Sequence, residues 1–396
     1  MFFACDDIGK DYQWQGNIPP GFSRTFGTVG YDYGWNASYS QFDDGIIVVG
    51  QRAPEIGGKS DLWAIKTNTR GVMEWEQYFG GGDNEAGLDV VSTSDGGFLF
   101  VGYTWSYSNS QQMFVIKTDF HGNKEWEKVY GGSMWEVAYS AIEVIGGGYI
   151  IAGSSNSPGI SSGNTDIYLV KIDQNGEKIW EKAYGNKAFP NHEWAYDIIQ
   201  LDDQGFILVG ARDRYSKGSL NGLILRIDEK GDLLWEKELL DESQISQSIF
   251  TISKSAEGFY YLCSGVNSVN SPEVFQPTII KIDGSGNIDW QRRLNSNSHQ
   301  RNQFSATTTN LGGVVVVGSS RQPNNKSKND AFMTKLDNSG NIIWSNSYGS
   351  MDEDDWGWSL FESSNNNLVF VGSTKSFGAS LFDILLVGTN PDGISK

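Results

Sequence analysis

The stretch Asp173-Gln174-Asn175-Gly176-Glu177-Lys178-Ile179-Trp180 decides the fold of this chain, because its pattern returns at a regular interval. In each copy an Asp or Asn stands three residues before a Gly, and a Trp stands four residues after that Gly. The tryptophans of the six copies are Trp75, Trp126, Trp180, Trp235, Trp290 and Trp344. They lie 51 to 55 residues apart, an interval that indicates a chain built of repeats.

Short β-type runs surround the pattern in every repeat. One run, at residues 167–171 in the copy quoted above, comes just before the turn and ends in a basic residue. A second run ends in a small residue in seven places: Gly50, Gly102, Gly153, Gly210, Cys263, Gly318 and Gly372. Seven repeats of four short strands, with turn signals between them, predict an all-β fold, a seven-bladed β-propeller with four-stranded blades.

The basic residue that closes the first of these runs is expected to form an ion pair within its own blade. Acids stand at regular positions on the next strand, where a cross-strand partner would lie. These acids are Glu76, Glu127, Glu181 and Glu236.

The two ends of the sequence predict how the ring closes. The last repeat reaches Gly393, and its Trp position would fall just past Lys396. Near the start, residues 21–27 form an isolated β-type run in which Phe22 takes the Trp position, 53 residues before Trp75. We therefore expect the N-terminal strand to complete the last blade of a single propeller over residues 21–396, since closure removes an open sheet edge.

Composition and charge exclude several classes of protein. The chain has 396 residues, 48 of them Gly and 14 Trp, and a formal net charge of −18. Without a basic block, this charge argues against a nucleic-acid partner and against an anionic membrane surface. No apolar run approaches the length of a membrane-spanning helix. We expect a monomer.

The repeated Asp-x-x-Gly-x-x-x-Trp hairpin resembles the tryptophan-docking motif of quinoprotein-like propellers. Over residues 21–396 the chain resembles the repeat propellers of secreted and surface proteins of Bacteroidetes-type bacteria. The resemblance implies the fold and leaves the function open, because propellers host many unrelated activities. No cofactor-binding set is recognisable, so we expect no quinone or other cofactor, with calcium as the one possibility.

The first residues suggest a cell-envelope location. Phe2-Phe3-Ala4-Cys5 resembles the end of a bacterial lipoprotein signal, in which the Cys is lipidated after cleavage. An acidic stretch follows Cys5, which resembles the export signals of surface lipoproteins. The resemblance implies lipidation at Cys5, a lipoprotein-like N-terminus over residues 1–20 in which residues 6–20 form a tether, and a protein that is on the outer-membrane surface or secreted.

Tryptophans outside the repeated hairpin point to a binding face. Five of them fall between the outer strand of one repeat and the inner strand of the next: Trp35, Trp135, Trp194, Trp356 and Trp358. In a propeller these connections surround one mouth of the central channel, where Tyr103, Trp105 and Tyr33 are also expected. We place Trp35, Trp194 and Trp356 in one register. Flat aromatic rings beside polar side chains favour a glycan or a protein as ligand.

Carboxylates stand one position before that register in several repeats, as Glu85, Glu136, Glu193 and Asp355. Such a ring could supply the acid and nucleophile of a glycosidase, or bind a cation. It could equally cap the backbone in each blade. Asp352 and Asp354 add oxygen ligands of the kind that calcium prefers.

Two functions follow from these patterns. The first is a non-enzymatic surface protein whose Trp-rich face binds a glycan or an envelope or extracellular protein. The alternative is a carbohydrate-active enzyme, a glycosidase or a polysaccharide lyase, that uses the rim carboxylates Glu193, Glu136 and Asp355. The sequence contains no metal-binding His/Cys cluster, no phosphate-binding Gly loop and no nucleophile elbow, so no catalytic motif decides between them.

Overall fold

The computed structural model describes residues 21–162, 164–185, 191–213, 220–239, 244–268, 271–294, 304–322, 325–350, 352–377 and 381–394. These residues form strands and turns and contain no helix. The strands are β1 (Phe22–Phe26), β2 (Asp32–Tyr39), β3 (Ile46–Arg52), β4 (Asp61–Thr67), β5 (Met73–Phe79), β6 (Glu85–Ser92), β7 (Phe98–Thr104), β8 (Gln112–Thr118), β9 (Lys124–Tyr130), β10 (Glu136–Glu143), β11 (Tyr149–Ser155), β12 (Asp166–Ile172), β13 (Lys178–Tyr184), β14 (His192–Gln200), β15 (Phe206–Asp213), β16 (Leu220–Ile227), β17 (Leu233–Leu239), β18 (Gln244–Lys254), β19 (Tyr260–Ser268), β20 (Ser271–Ile282), β21 (Ile288–Arg293), β22 (Ser305–Thr308), β23 (Val314–Gln322), β24 (Asn325–Leu336), β25 (Ile342–Tyr348), β26 (Asp355–Glu362), β27 (Leu368–Thr374) and β28 (Asp383–Thr389).

The strands form seven antiparallel sheets of four, and each sheet is one blade. Blades 1 to 6 are β2–β5, β6–β9, β10–β13, β14–β17, β18–β21 and β22–β25, and blade 7 is β26–β28 with β1. The first strands of neighbouring blades contact one another around the whole ring, including β26 with β2. These contacts confirm the predicted seven-bladed propeller with its first strands at the centre.

The N-terminal strand closes the ring as the sequence predicts. Strand β1 pairs with β28 in antiparallel register, with Phe22 opposite Gly388 and Phe26 opposite Ile384. The side chain of Phe22 lies against Gly71 of blade 1, where a Cβ would come within 2.7 Å of the Phe22 ring. Phe22 therefore occupies the place that a Trp occupies in the other blades.

The repeated hairpin locks each blade to the next. The Asp119 side chain accepts the N–H groups of His121 and Asn123, both at 2.9 Å, and Gly122 has a φ of 79°. This turn presents a flat glycine surface to Trp75 of the preceding blade, and a Cβ on Gly122 would lie 3.0 Å from the Trp75 ring. Trp75 Nε1 also donates to Phe120 O at 3.2 Å. The tryptophan of each hairpin thus packs against the turn glycine of the next blade.

The hydrophobic core is divided among the interfaces between blades. The cluster between blades 2 and 3, for example, contains Leu99 and Val101 from one blade and Ile151 and Val170 from the other, all fully buried. Burying an aliphatic side chain of this size stabilises a fold by about 1.5–3 kcal/mol. Stability therefore depends on every blade having two neighbours, which the closed ring provides.

The closing basic residues form ion pairs with other acids than those expected. Lys66 is fully buried, and its Nζ lies 2.6 Å from Asp43 and 2.9 Å from Glu74. Lys117 contacts Asp95 and Glu125 in the same way. The reason is that Glu76 and Glu127 pair with Ile65 and Ile116, so their side chains lie on the opposite face of the sheet from Lys66 and Lys117. The predicted partners were therefore wrong.

The small residue that ends the second strand differs from the prediction in blade 5. Ser264 pairs with Ile249 just before a β-bulge, as Gly50 pairs with Gly34 in blade 1. Cys263 is one residue too early for this position and is buried as a free thiol. A one-residue offset of this kind cannot be read from spacing alone.

Candidate functional site

A β-bulge interrupts the first strand of six blades at the same place. In blade 1, Gly34 pairs with Gly50 and Asn36 with Val49, so that Trp35 is left without a partner in the strand pairing. Such an extra residue bends its strand and redirects its side chain. The bulge residues of blades 1, 2, 3, 4, 5 and 7 are Trp35, Leu88, Tyr139, Tyr196, Phe250 and Trp358.

All six bulge side chains line one cavity at the centre of the ring, with a volume of about 610 Å³. Phe304 supplies the corresponding side chain in blade 6, where it precedes β22. The remaining lining residues that the structure describes are Asn36, Tyr103, Trp105, Gln111, Trp135, Val137, Thr251, Ser305 and Ser359. Nine of the sixteen described lining residues are aromatic and none carries a charge.

The aromatic rings of the cavity wall contact one another. Trp35 and Trp358 have ring centroids 5.4 Å apart and planes at 47°. Tyr139 meets Tyr196 edge to face at 5.3 Å, and Tyr196 lies 5.6 Å from Phe250. Burial raises the pKa of the Tyr139 hydroxyl far above its usual range, so this group stays a neutral hydrogen-bond donor.

Polar side chains form a second ring one residue further along each first strand, and they tie the blades together. Ser359 Oγ donates to Asn36 Oδ1 at 3.1 Å, which joins blades 7 and 1. Thr251 Oγ1 accepts the N–H of Ala306 at 3.1 Å, joining blades 5 and 6. Asp197 accepts the N–H of Ile252 at 2.8 Å. Asn36, Thr251, Ser305 and Ser359 of this ring line the cavity and give it a polar floor of hydroxyl and amide groups, whereas the carboxylates Asp89 and Asp197 do not line it.

The cavity opens on the face that carries the long loops, here called the loop face, at residues 104–111 and 131–135. The opposite face, called the turn face, carries the short turns at residues 93–97 and 119–122. Trp105 is 41% exposed and stands at the mouth of the cavity with Trp135. Trp105 N donates to Asn84 O at 3.0 Å, and Trp135 N donates to Asn156 Oδ1 at 2.8 Å, so both backbones are fixed.

The predicted register of three tryptophans needs correction. Trp194 pairs with Ala211 and Trp356 with Ser373, two residues before the bulge of their strands. The residue of blade 1 at that position is Tyr33, which pairs with Gln51, and Trp35 is instead equivalent to Trp358. The sequences Asp32-Tyr-Gly-Trp35 and Asp355-Trp-Gly-Trp358 align directly, which spacing between distant repeats did not show.

Trp194, Trp356 and Tyr33 lie above the cavity wall and do not line it. Trp194 stacks on His192 with centroids 5.9 Å apart and planes at 15°. Trp356 and Tyr33 both stack on Phe382, at 4.4 Å and 5.6 Å. The structure therefore brings Trp35, Trp358, Trp135 and Trp105 together in the cavity and places the other three rings along its rim.

The carboxylates of the first strands are buried and bound by hydrogen bonds. Both oxygens of Glu136 accept such bonds, from Ser155 Oγ at 2.7 Å and from Gln112 Nε2 at 2.8 Å. Asp355 accepts bonds from the hydroxyls of Thr374 and Ser376. These contacts fasten the start of each first strand to the loop after the second strand.

The corresponding acid of blade 1 is Asp32. The predicted register, one residue before Trp35, placed this position two residues later, at Gly34. Asp32 is fully buried, and its side chain accepts the N–H groups of Thr28 at 2.5 Å and of Ala53 at 3.1 Å. It begins β2, as Glu85, Glu136 and Asp355 begin their strands. The carboxylate set is therefore one member larger than expected.

Glu193 differs from the other carboxylates because an arginine replaces the hydroxyls. Arg212 Nε donates to Glu193 Oε1 at 3.0 Å, and the same guanidinium contacts Glu236 and Glu238. Glu193 Oε2 is buried and has no hydrogen-bond partner among the described residues. Burial, together with the nearby Asp166 carboxylate, raises the pKa of Glu193 to about 7, against the opposing effect of Arg212.

The acids predicted to hold calcium have structural partners or lie apart. Asp354 Oδ1 accepts the N–H of Asn329 at 2.9 Å, and its other oxygen lies 3.6 Å from Lys328 Nζ. Asp352 is exposed in the preceding turn. Within the described ranges, no group of three or more His, Cys, Asp or Glu side chains has the arrangement of a metal site.

Four aromatic cavity residues were not predicted from the sequence: Tyr139, Tyr196, Phe250 and Phe304. A usable signal was present, since five first strands have an acid, then a small residue two positions later and a large apolar residue directly after it. Glu136-Val-Ala-Tyr139 and Glu193-Trp-Ala-Tyr196 are examples.

Cys5 and the rest of residues 1–20 lie outside the described residues. The part of the chain that is described contains no helix able to span a membrane.

Comparison with known proteins identifies the fold class. Neither a protein-family model nor a curated protein matches the chain. Among solved structures, the WD40 domain of Neurospora crassa Pan2 is similar over 96% of this chain and 100% of its own, at 10% identity and a TM-score of 0.57. The YCF48 protein bound to D1 peptide is similar over 96% and 99%, at 11% identity and a TM-score of 0.52. At such identities the likeness shows a shared propeller fold.

A bacterial structure is also similar to part of the chain. It is a protein of unknown function from Bacteroides caccae, which is 15% identical and has a TM-score of 0.44. The match covers 75% of this chain and 91% of that protein.

Proposed function

We propose that this protein is a non-enzymatic binding propeller whose ligand occupies the central cavity on the loop face. The observation that carries the proposal is the cavity lining, which among the described residues has nine aromatic rings and no charged side chain. Enclosed aromatic sites with a few polar groups are the usual form of small-ligand binding sites. The volume of about 610 Å³ is within the range of such sites.

A neutral glycan end is the ligand that this lining favours. The C–H face of a sugar ring packs on flat aromatic surfaces such as Trp35 and Trp358, while its hydroxyls need hydrogen-bond partners once water is excluded. Asn36, Thr251, Ser305 and Ser359 offer such partners on the floor. An acidic sugar would bring an unpaired charge into an uncharged cavity, which is costly.

The arrangement of the carboxylates supports binding over hydrolysis. A glycosidase needs two carboxyl groups that reach the two sides of one glycosidic bond. Glu136 and Asp355 are fully buried and bound by hydroxyls, and neither lines the cavity. Glu193 has the raised pKa of a general acid, but Arg212 covers one of its oxygens.

The second candidate for the ligand is a protein segment. The similar YCF48 structure contains a D1 peptide, which is a property of that protein. A peptide with an aromatic or aliphatic side chain would also match an uncharged aromatic cavity. We rank it second because the polar floor offers hydrogen bonds that an apolar side chain would leave unused.

We also propose that the protein belongs to the cell envelope, anchored through lipidation of Cys5. The support is the resemblance of Phe2–Cys5 to a lipoprotein signal. Mass spectrometry of the protein from its native membrane fraction would test it, and an unmodified Cys5 would contradict the anchor.

Affinity electrophoresis in gels that contain neutral glucans, mannans, xylans or galactans tests the glycan proposal. We expect at least one polysaccharide to retard the wild-type protein, and Trp35→Ala and Trp358→Ala to abolish the retardation. Phe42→Ala is the matched control, because Phe42 is an exposed ring on the turn face. If none of the polysaccharides retards the protein, the glycan ligand is ruled out.

The same experiment separates binding from catalysis. Sugar products are measured after incubation with each polysaccharide. Product release that disappears in Glu193→Gln would contradict a non-enzymatic role, whereas retardation without product release is the expected result.

A further inference from the structure

Aromatic rings continue from the cavity up to the rim at the junction of blades 7 and 1. Tyr31, Tyr33 and Trp35 are alternate residues of one extended segment, whose backbone pairing continues through the bond from Ala53 N to Tyr31 O. The centroids of Tyr31 and Tyr33 are 6.3 Å apart with planes at 3°, and those of Tyr33 and Trp35 are 5.5 Å apart with planes at 21°. We call Tyr31, Tyr33 and Trp35 the aromatic row.

The geometry of the row leaves ring surface available to a ligand. Two parallel rings that overlap fully lie closer than 6.3 Å, so Tyr31 and Tyr33 are offset and each leaves part of its ring face uncovered by the other. Tyr31 is 40% exposed, and Tyr33 and Trp35 are half-buried. Alternate residues of a strand are separated by roughly 6.6 Å, so the row extends about two such steps from the cavity to the loop face.

Three aromatic rings at these positions occur in blade 1 and, as His192, Trp194 and Tyr196, in blade 4, and they are not required by the fold. At the position of Tyr31 other blades have Asn84, Trp135, His192 and Asp354, and at that of Tyr33 they have Ala86, Val137, Trp194 and Trp356. Blade 2, with Asn84, Ala86 and Leu88, forms the same strand without any aromatic residue. Packing therefore does not explain why blade 1 has three aromatic rings in line.

The ring of Phe382 holds the row in place from blade 7. It is buried between Tyr33 and Trp356, and Lys375 Nζ lies 4.2 Å from its centroid. Because Phe382 supports the row from behind, the rings form a fixed surface that loses little entropy when a ligand binds.

We infer that the aromatic row forms additional subsites, so that the ligand is an uncharged linear oligosaccharide that enters the cavity with one end and lies along Trp35, Tyr33 and Tyr31. This inference rests on the proposed function and specifies its ligand as a chain. Each ring of the row would pack on one sugar unit, and the tyrosine hydroxyls would donate hydrogen bonds to sugar hydroxyls.

The test is isothermal titration with a length series, from monosaccharide to pentasaccharide, of each neutral glycan that retards the wild-type protein. We expect affinity to rise about tenfold or more from disaccharide to tetrasaccharide. In Tyr31→Ala/Tyr33→Ala this gain should disappear while the disaccharide affinity stays the same. Trp358→Ala should weaken binding at every length.

Two further variants exclude misfolding and non-specific effects. Tyr107→Ala removes another exposed tyrosine of the loop face and should keep the full length dependence. Tyr31→Ala alone removes the most exposed ring of the row and should lose part of the gain without a change in thermal stability.

The outcomes distinguish this inference from the proposed function. If no neutral glycan binds the wild-type protein, both fail. The inference about the aromatic row is wrong if glycans bind with an affinity that does not depend on their length. It is also wrong if the double variant keeps the gain in affinity. In both cases the cavity remains the proposed binding site.

Discussion

The carboxylates of this propeller illustrate how residue type alone can mislead about chemistry. Glu85 receives hydrogen bonds from Thr104 and Ser106, both at 2.6 Å, and so acts as a connector between a strand and a loop. At several other buried acids the hydrogen bonds do not compensate for the lost water. Their charged forms are disfavoured, which makes the stability of the fold sensitive to pH.

Six buried acids, Asp32 among them, have a raised pKa, and burial is the main cause in each. The pKa is raised to about 7 for Glu193, Asp197 and Asp383, with Asp32 adding to the effect on Asp383. It is raised to about 6 for Asp89 and Asp355. A raised pKa means that the folded state binds protons more tightly than the unfolded state. The contribution of each such acid to the stability of the folded state is present at low pH and is lost as the pH rises through 6 and 7.

We therefore expect the thermal midpoint to fall by several degrees between about pH 5 and pH 8. Acids with a lowered pKa, such as Asp119 and Asp337, act in the opposite sense, but only at pH values below their ordinary range. Thermal unfolding followed by circular dichroism across this interval measures the effect. A midpoint that rises with pH would contradict the assignment.

Asp383→Asn is the informative variant for this pH dependence. Asp383 Oδ1 is buried and has no hydrogen-bond partner among the described residues, so an uncharged amide fits the site and can no longer titrate. The variant should have a flatter pH profile than the wild type. Asp352→Asn, an exposed acid in a turn, should leave the profile unchanged.

At the level of strands, the bulge and the closing strand have different roles. The bulge on the first strand of six blades turns one side chain into the central cavity, and a polar residue directly after it bonds to the neighbouring blade, as Asn36 and Thr251 do. The closing strand β1 supplies the outer edge of blade 7, where Phe22 covers Gly388. An aromatic ring over a glycine across two strands stabilises a pairing that glycine alone would weaken.

Gly388→Val should disrupt this closure. A Cβ at position 388 would lie 2.1 Å from the Phe22 ring, so β1 must move away from β28. We expect a loss of about 1–3 kcal/mol in the free energy of unfolding, measured with urea. Because β28 would then present an unpaired edge, size-exclusion chromatography should also show oligomers.

The control for this substitution is another glycine of the ring. A Cβ added at Gly82 would have no neighbouring atom within 4 Å, and the φ of Gly82 is not in the left-handed region. Gly82→Ala should therefore leave both stability and oligomeric state unchanged. If Gly388→Val behaves like Gly82→Ala, the closing strand does not depend on the Phe22 contact.

At the scale of the whole molecule, the sequence predicted the ring because each blade repeats the same turn and the same packing plate. Gly122 and Trp75 leave a fixed spacing in the sequence, since a left-handed turn and a flat contact each require one residue type. The cavity could not be predicted equally well. A bulge adds one residue without a composition signal, so Trp35 was placed in the wrong register and Tyr139 and Tyr196 were not identified as cavity residues.

The two faces of the ring also fix how an anchored molecule would be oriented. Gly21, the first described residue, lies on the turn face beside Arg70 and Asn390, because Phe22 contacts the turn at Gly71. The cavity opens on the opposite face. A tether over residues 6–20 would then hold the turn face toward the membrane and present the cavity outward.

Site-directed tethering tests this orientation. The only other cysteine in the chain, Cys263, is buried, so a maleimide surface will react at Cys5. Protein coupled through Cys5 should bind the glycan as well as protein in solution does. Protein that carries Asn109→Cys with Cys5→Ser is coupled through an exposed residue of the loop face and should lose most of its binding. Equal binding by the two coupled forms would show that the ligand does not enter the cavity from the loop face. It would contradict the placement of the proposed lipid anchor and the binding site on opposite faces.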